Sequence, residues 1–136
     1  FDSSTVVIKA AAVADYRPKR RAESKIKKSG ENLKIDLERN PDIIAEVGKK
    51  KGKRILVGFA VETENLIENA RAKMVKKNMN MIVANDVTQE GAGFGYDTNI
   101  TKIITADGEI EEMPLMSKME VADRILDGIK RIIMKK

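Results

Sequence analysis

Arg54-Ile55-Leu56-Val57-Gly58-Phe59-Ala60-Val61-Glu62-Thr63 and Met79-Asn80-Met81-Ile82-Val83-Ala84-Asn85-Asp86 decide the fold. The apolar runs from Arg54 to Val61 and from Met79 to Ala84 are continuous rather than alternating, which predicts strands covered on both faces. Between them Leu66, Ala70 and Met74 recur every four residues, the spacing of a helix face, and Thr63 can cap that helix. An earlier run, Thr5 to Ala12, predicts another buried strand, and the alanines at its end leave room for close approach. Buried strands alternating with helices predict a parallel α/β sheet. Ligands bind such sheets outside the carboxyl ends of the strands. Polar residues follow all three predicted ends: Asp15, then Glu62 and Thr63, then Asn85 and Asp86. A site assembled from those ends is expected.

The remaining segments fill in around this frame. Val13 to Asn32 is polar, contains Pro18 and Gly30, and reads as a loop. Leu33 to Glu38 alternates strictly and predicts a strand with one wet face. Asn40-Pro41 predicts a helix start, with Asn40 as cap and Pro41 at the first helical position, and the helix should end before Gly52. Residues 87–98 read as a loop; its Gly91, Gly93 and Gly95 are not a dinucleotide fingerprint, because they precede a strand. Ile100 to Ala106 and Glu109 to Met113 should form a hairpin about the two-residue turn Asp107-Gly108. Ser117 and Glu120 make a capping box, and Val121, Ile125, Ile129 and Ile133 mark the inner face of a last helix.

The chain has 136 residues, 42% hydrophobic and 35% charged, enough apolar material to build a core. No apolar run approaches the roughly 20 residues of a membrane-spanning helix. With no His and no Cys, there is no thiol nucleophile, no thiolate zinc site and no imidazole base. Chemistry must run on Lys, Arg, Asp, Glu, Asn, Tyr or backbone dipoles, which suits transfer at phosphorus, where positioning and charge stabilisation dominate. The net charge of +5 is uneven, with a basic stretch from Arg17 to Lys28 and a second from Lys49 to Arg54. An anionic partner is one reading of that asymmetry and a solvated Lys/Glu-rich surface is the other. Three parallel strands and a hairpin are thin for a complete domain of this type, and the chain opens at Phe1. An N-terminal part of the domain is therefore expected upstream.

Five features carry candidate chemistry. Lys25-Ile26-Lys27-Lys28 lies in the long loop and can close on a polyphosphate, or it is simply an exposed basic loop. Lys73 and Lys77 share a helix face; like charges there cost an isolated helix about 0.2–0.5 kcal/mol, and a phosphate between them would reverse the sign. Asn40-Pro41-Asp42-Ile43-Ile44 presents free N–H groups at a helix start, an anion site or an ordinary cap. Phe59 is a core ring or, at a strand end, a surface for a nucleobase. Asp15 can orient a nucleotide or hold a metal-bound water, or merely cap a turn.

In order, Ala10-Ala11-Ala12-Val13-Ala14-Asp15-Tyr16-Arg17, Lys25-Ile26-Lys27-Lys28, Asn40-Pro41-Asp42-Ile43, Gly58-Phe59-Ala60-Val61-Glu62-Thr63 and Ala84-Asn85-Asp86 resemble the prokaryotic phosphopantothenate–cysteine ligases. The resemblance covers nearly the whole chain, as the C-terminal portion of one ligase domain spanning residues 1–136. It implies a Rossmann-like, mostly parallel sheet with helices on both faces and a C-terminal hairpin. It also implies a cytoplasmic homodimer, with the strand Leu33 to Glu38 as the dimer-forming extension. The implied chemistry joins 4′-phosphopantothenate to cysteine through an acyl-cytidylate made from CTP with Mg²⁺, in coenzyme A biosynthesis. FMN would belong only to an attached decarboxylase half.

By the same resemblance Lys25 stabilises charge in acyl-cytidylate formation. Nucleotide contacts fall on Lys9, Ala10, Ala11, Asp15, Lys25, Pro41, Asp42, Ile43, Ile44, Phe59, Lys73 and Lys77, and metal ligands stay unassigned. Neither nucleic acid nor a membrane is an expected partner. Two other classes predict different features. A dinucleotide-dependent oxidoreductase needs a glycine-rich strand-to-helix turn, which this chain lacks. A single-strand nucleic-acid binder needs aromatics interleaved with its basic run, and these are nearly absent.

Overall fold

The computed structural model of the chain describes residues 1–27, 30, 32–92 and 95–135; Lys28 and Gly93, singled out above, lie outside them. In chain order the elements are β1 (Val6–Lys9), β2 (Tyr16–Pro18), β3 (Leu37–Arg39), α1 (Ile43–Lys50), β4 (Ile55–Glu62), α2 (Leu66–Lys76), β5 (Met81–Asp86), β6 (Thr98–Thr105), β7 (Ile110–Ser117) and α3 (Lys118–Met134). They fall into two compact units, residues 1–10 with 44–136 and residues 11–43.

The larger unit is a five-stranded sheet in the order β1-β4-β5-β6-β7. β1, β4 and β5 run parallel, whereas β6 and β7 are antiparallel to their neighbours. The sheet is thus mixed, not mostly parallel. The described residues between β5 and β6 form no helix, and the segment is too short for a crossover, so β6 returns beside β5 in the opposite sense.

Helices cover both faces, as expected. Leu56, Ala60, Ile82 and Ala84 pack with Ile44 of α1 and with Ala70 and Met74 of α2. Ile55, Val57, Met81, Val83 and Ile103 pack with Val121, Ile125 and Ile129 of α3. The alternation of these names along β4 and β5 is the period-two geometry of a strand, and each fully buried Leu or Ile contributes about 1.5–3 kcal/mol.

α2 ends in a Schellman motif. The Asn78 N–H donates to Val75 O at 3.1 Å and the Met79 N–H to Met74 O at 2.9 Å, with Asn78 in the left-handed region at φ 51°. α2 starts at Leu66 with Asn65 at its cap position, not Thr63, and no side chain caps it. The capping box of α3 forms as expected: Ser117 Oγ accepts from the Glu120 N–H, and Glu120 Oε2 accepts from the Ser117 N–H at 2.8 Å. That hydroxyl and amide hold the Glu120 carboxyl below its ordinary range.

Several expected boundaries move. Ile133 is 53% exposed, and Ile132 takes its place against the core. Steps of four drift about 40° each around a 3.6-residue helix, so the fourth residue of such a series leaves the face. β1 stops at Lys9 and, as an edge strand, leaves Ile8 exposed.

The hairpin turn has three residues, not two. Thr105 and Glu109 are bonded across Ala106-Asp107-Gly108, and only Gly108 has positive φ (95°). β7 runs on past Pro114, which an edge strand tolerates at the register shift opposite Asn99–Thr101.

The same turn anchors the end of α3. Lys135 Nζ lies 2.8 Å from both Asp107 Oδ2 and Glu109 Oε1, and the Thr105 hydroxyl also donates to Asp107. The Lys135 ammonium and that hydroxyl bring the Asp107 carboxyl from 3.8 down to about 2. A depressed carboxyl stabilises the fold above its unfolded value and loses that contribution as pH falls through the folded one. Asp107→Asn should therefore unfold at lower denaturant than the parent at pH 6, with the gap closing as pH falls from about 4 to about 2. Urea titrations at several pH values measure this, and a gap that persists at pH 2 contradicts it.

In the smaller unit β2 pairs antiparallel with β3, Tyr16 opposite Arg39 and Pro18 opposite Leu37. The expected strand from Leu33 to Glu38 is thus realised only over Leu37–Arg39, and β2 arises where a loop was expected. Arg17 Nε donates to Glu38 Oε1 at 2.8 Å, and the Arg39 guanidinium sits 5.8 Å from the Tyr16 ring centre. Asn40 does not cap α1. Its side-chain amide donates to Ala14 O at 2.7 Å and its backbone N–H to Asp15 O at 2.8 Å, so α1 begins at Ile43.

Candidate functional site

The carboxyl ends of β4 and β5 lie side by side, with Glu62 and Asp86 as the last paired residues. Glu62 belongs to the α2 face by alternation, and Lys73 of α2 reaches it: Nζ to Oε1 is 2.5 Å. The Glu62 side chain is only 10% exposed while Lys73 is 48% exposed, so a buried carboxylate fixes a lysine whose head still meets solvent. Lys73 thus carries a carboxylate counter-ion within the fold.

Lys77 stands one turn further on as the C-cap of α2, its N–H donating to Lys73 O and Val75 O. There the helix meets α1, with Asn78 Nδ2 donating to Gly48 O at 2.9 Å. Asp86 is engaged as well, accepting from the Thr88 hydroxyl at 2.6 Å and from Gln89 at 2.9 Å. These hydrogen bonds pull its carboxyl below the ordinary range.

Phe59 is 39% exposed and is not a core ring. Alternation with Val57 puts it on the α3 face, opposite the face that carries Lys73. Lys9 ends β1 in register with Gly58, and Ala10 follows it. Ile44 is 7% exposed and belongs to the core, so only its backbone can meet a ligand.

Ala11, Asp15, Lys25, Pro41, Asp42 and Ile43 belong to the smaller unit, and all are exposed. Asp15 contributes its carbonyl to Asn40, leaving its carboxylate outward. This unit also holds a cleft of about 650 Å³ lined by Arg17, Arg20, Arg21, Lys34, Leu33 and Ile35, among others. The basic run had announced a cationic surface; its pairing with apolar residues in one cleft had no local signal.

Among the described residues no three carboxylates gather to hold a metal ion. Glu62 and Asp86 are committed to Lys73 and to Thr88 and Gln89. The described residues therefore offer no all-carboxylate cage for Mg²⁺, and a phosphate-bound Mg²⁺ needs only one or two carboxylates from the protein. No described helix is long and apolar enough to cross a membrane.

The family model for the DNA/pantothenate metabolism flavoprotein C-terminal domain matches residues 1–133. The chain is 49% identical over 129 residues to the coenzyme A biosynthesis bifunctional protein CoaBC of Bacillus subtilis, covering 95% of this chain and 32% of that protein. It is 42% identical over 134 residues to a cysteine/cysteine sulfinic acid decarboxylase from an unknown prokaryotic organism, covering 98% and 37%. The crystal structure of the C-terminal domain of a coenzyme A biosynthesis bifunctional protein CoaBC superposes with a TM-score of 0.79 at 41% identity, over 99% of this chain and 58% of that one. The chain spans about a third of the length of the curated relatives it matches. It belongs to the DNA/pantothenate metabolism flavoprotein C-terminal domain family.

Proposed function

We propose that the protein carrying this chain joins 4′-phosphopantothenate to cysteine through an acyl-cytidylate formed from CTP. The kinship with CoaBC along nearly the whole chain carries this reading. The residues support it: the chain offers cations and backbone amides rather than an imidazole or thiol, as transfer at phosphorus requires. Lys25 neutralises charge that develops at the phosphate. Lys73, oriented by Glu62, contributes a fixed cation, and the N–H groups at the start of α1 meet an anionic oxygen. Lys9, Ala10, Ala11, Asp15, Pro41 to Ile44, Phe59 and Lys77 complete the nucleotide contacts. Cysteine brings its own amine as nucleophile.

Under this reading the chain is the C-terminal portion of a Rossmann-like ligase domain that works in the cytoplasm, with Mg²⁺ arriving on the nucleotide. Leu33, Ile35 and Leu37 are all exposed, an apolar row suited to pairing with a second copy as a homodimer. The full-length protein, given Mg²⁺, CTP and 4′-phosphopantothenate, should release pyrophosphate. On addition of cysteine it should release CMP and the amide product. Pyrophosphate release that does not depend on 4′-phosphopantothenate, or none at all, would refute the assignment.

A further inference from the structure

Asn85 ends the buried part of β5, and its Oδ1 is shielded from solvent without a hydrogen-bond donor from any group of the chain. Among the described residues it is the one buried side-chain polar atom left in that state. Native folds rarely keep such an atom, because burial strips its water and returns nothing. Its strand neighbours do not help. Val61, its partner on β4, has no polar side chain. Thr101, its partner on β6, is buried, but its hydroxyl is turned to Met113 Sδ at 3.9 Å.

Alternation puts Asn85 on the same face as Met81 and Val83, whose side chains pack under α3. On that face of β4, next to it, Phe59 and Val61 are 39% and 45% exposed. The carboxyl rim of the sheet therefore ends in an exposed ring and an exposed aliphatic side chain, and beside them one shielded carbonyl acceptor without a donor, which a turn of the Asn85 amide brings to the surface. A flat heteroaromatic ring with an exocyclic amino group answers all three, laying its face on the apolar side chains and giving an N–H to the oxygen.

We propose that Phe59, Val61 and Asn85 form a base-reading subsite in which Asn85 Oδ1 accepts a hydrogen bond from the exocyclic amino group of the nucleobase. This rests on the nucleotide reading above. Cytosine carries an amino group where uracil carries a carbonyl, so Asn85 would face a donor in CTP and a second acceptor in UTP. Sites built to hydrogen-bond a substrate group reject the analogue that lacks it.

The test compares full-length parent and Asn85→Ala for pyrophosphate release with CTP and with UTP, and for thermal unfolding without nucleotide. In the variant, kcat/KM for CTP should fall about tenfold, while that for UTP stays within about twofold. The nucleotide-free melting temperature should not fall, since the substitution removes a carbonyl that bonds to nothing. An unchanged CTP-to-UTP ratio, or equal losses for both nucleotides, overturns the subsite. A lower melting temperature also overturns it, because the oxygen would then have a structural donor elsewhere in the protein. If the parent itself releases no pyrophosphate with CTP, the nucleotide reading fails first and the subsite with it.

Discussion

Lys25→Ala in the full-length protein should cut CTP-dependent pyrophosphate release by about 10²–10³-fold while CTP binding weakens no more than about threefold. Lys25 is exposed and enters none of the ion pairs among the described residues. Its ammonium is thus uncommitted before nucleotide arrives, unlike that of Lys73, which Glu62 already holds. A cation on an exposed side chain adds little to ground-state binding, because ordering the side chain consumes most of the Coulomb gain. It adds most where negative charge increases, as the carboxylate attacks phosphorus and pyrophosphate departs. Single-turnover release measured beside equilibrium CTP binding separates the two effects. Lys25→Arg, which keeps the charge, should recover part of the rate. Parent-like release by Lys25→Ala would remove the assignment.

Gly48→Ala should destabilise the fold by about 3 kcal/mol or more, at the top of the range for an added methyl group in a packed interior. A Cβ on Gly48 would lie 2.0 Å from the carbonyl oxygen of Lys77 and 3.0 Å from its carbon. Both atoms are backbone, held by the Schellman turn that closes α2. They cannot swing aside, so α1 and α2 must part, and the Asn78-to-Gly48 hydrogen bond goes with them. Gly128→Ala is the control. Its Cβ would meet Met81 Cε at 2.7 Å, the flexible tip of a thioether that can rotate away. The gain in helix propensity, about 1 kcal/mol, offsets what strain remains. Urea unfolding of the two variants should thus differ by at least about 2 kcal/mol. Equal midpoints would show that the two helices do not touch as closely as they do here.

Much of this was legible along the chain because it depends on near neighbours. The runs that became β4 and β5 were readable from unbroken apolar composition, and α3 from its capping box and its apolar face. β2 was not readable. Its three residues are all exposed, and they are extended only because β3 lies beside them, with Arg17 bonded to Glu38 21 positions away. Asn40 had every local mark of a cap, yet its amide found Ala14 O, 26 residues back, and the helix start moved to Ile43. For the site, residue types pointed to anion chemistry. The Lys73–Glu62 pairing, the exposure of Phe59 and the donorless oxygen of Asn85 depend on which strands became neighbours.

By itself the sequence determined the buried strands β4 and β5 and the capped helix α3, the lack of thiol and imidazole groups in this chain, and the family. These follow from side-chain chemistry and from periods of two and 3.6, which act within a few residues. Only the tertiary structure decided that β6 and β7 extend the parallel strands in the opposite sense, that Lys73 carries a counter-ion, and that the sheet's rim exposes a ring beside an unfilled acceptor. Those outcomes rest on contacts between residues far apart in the chain, where strand order and burial, rather than local preference, set which groups meet and which are left without a partner.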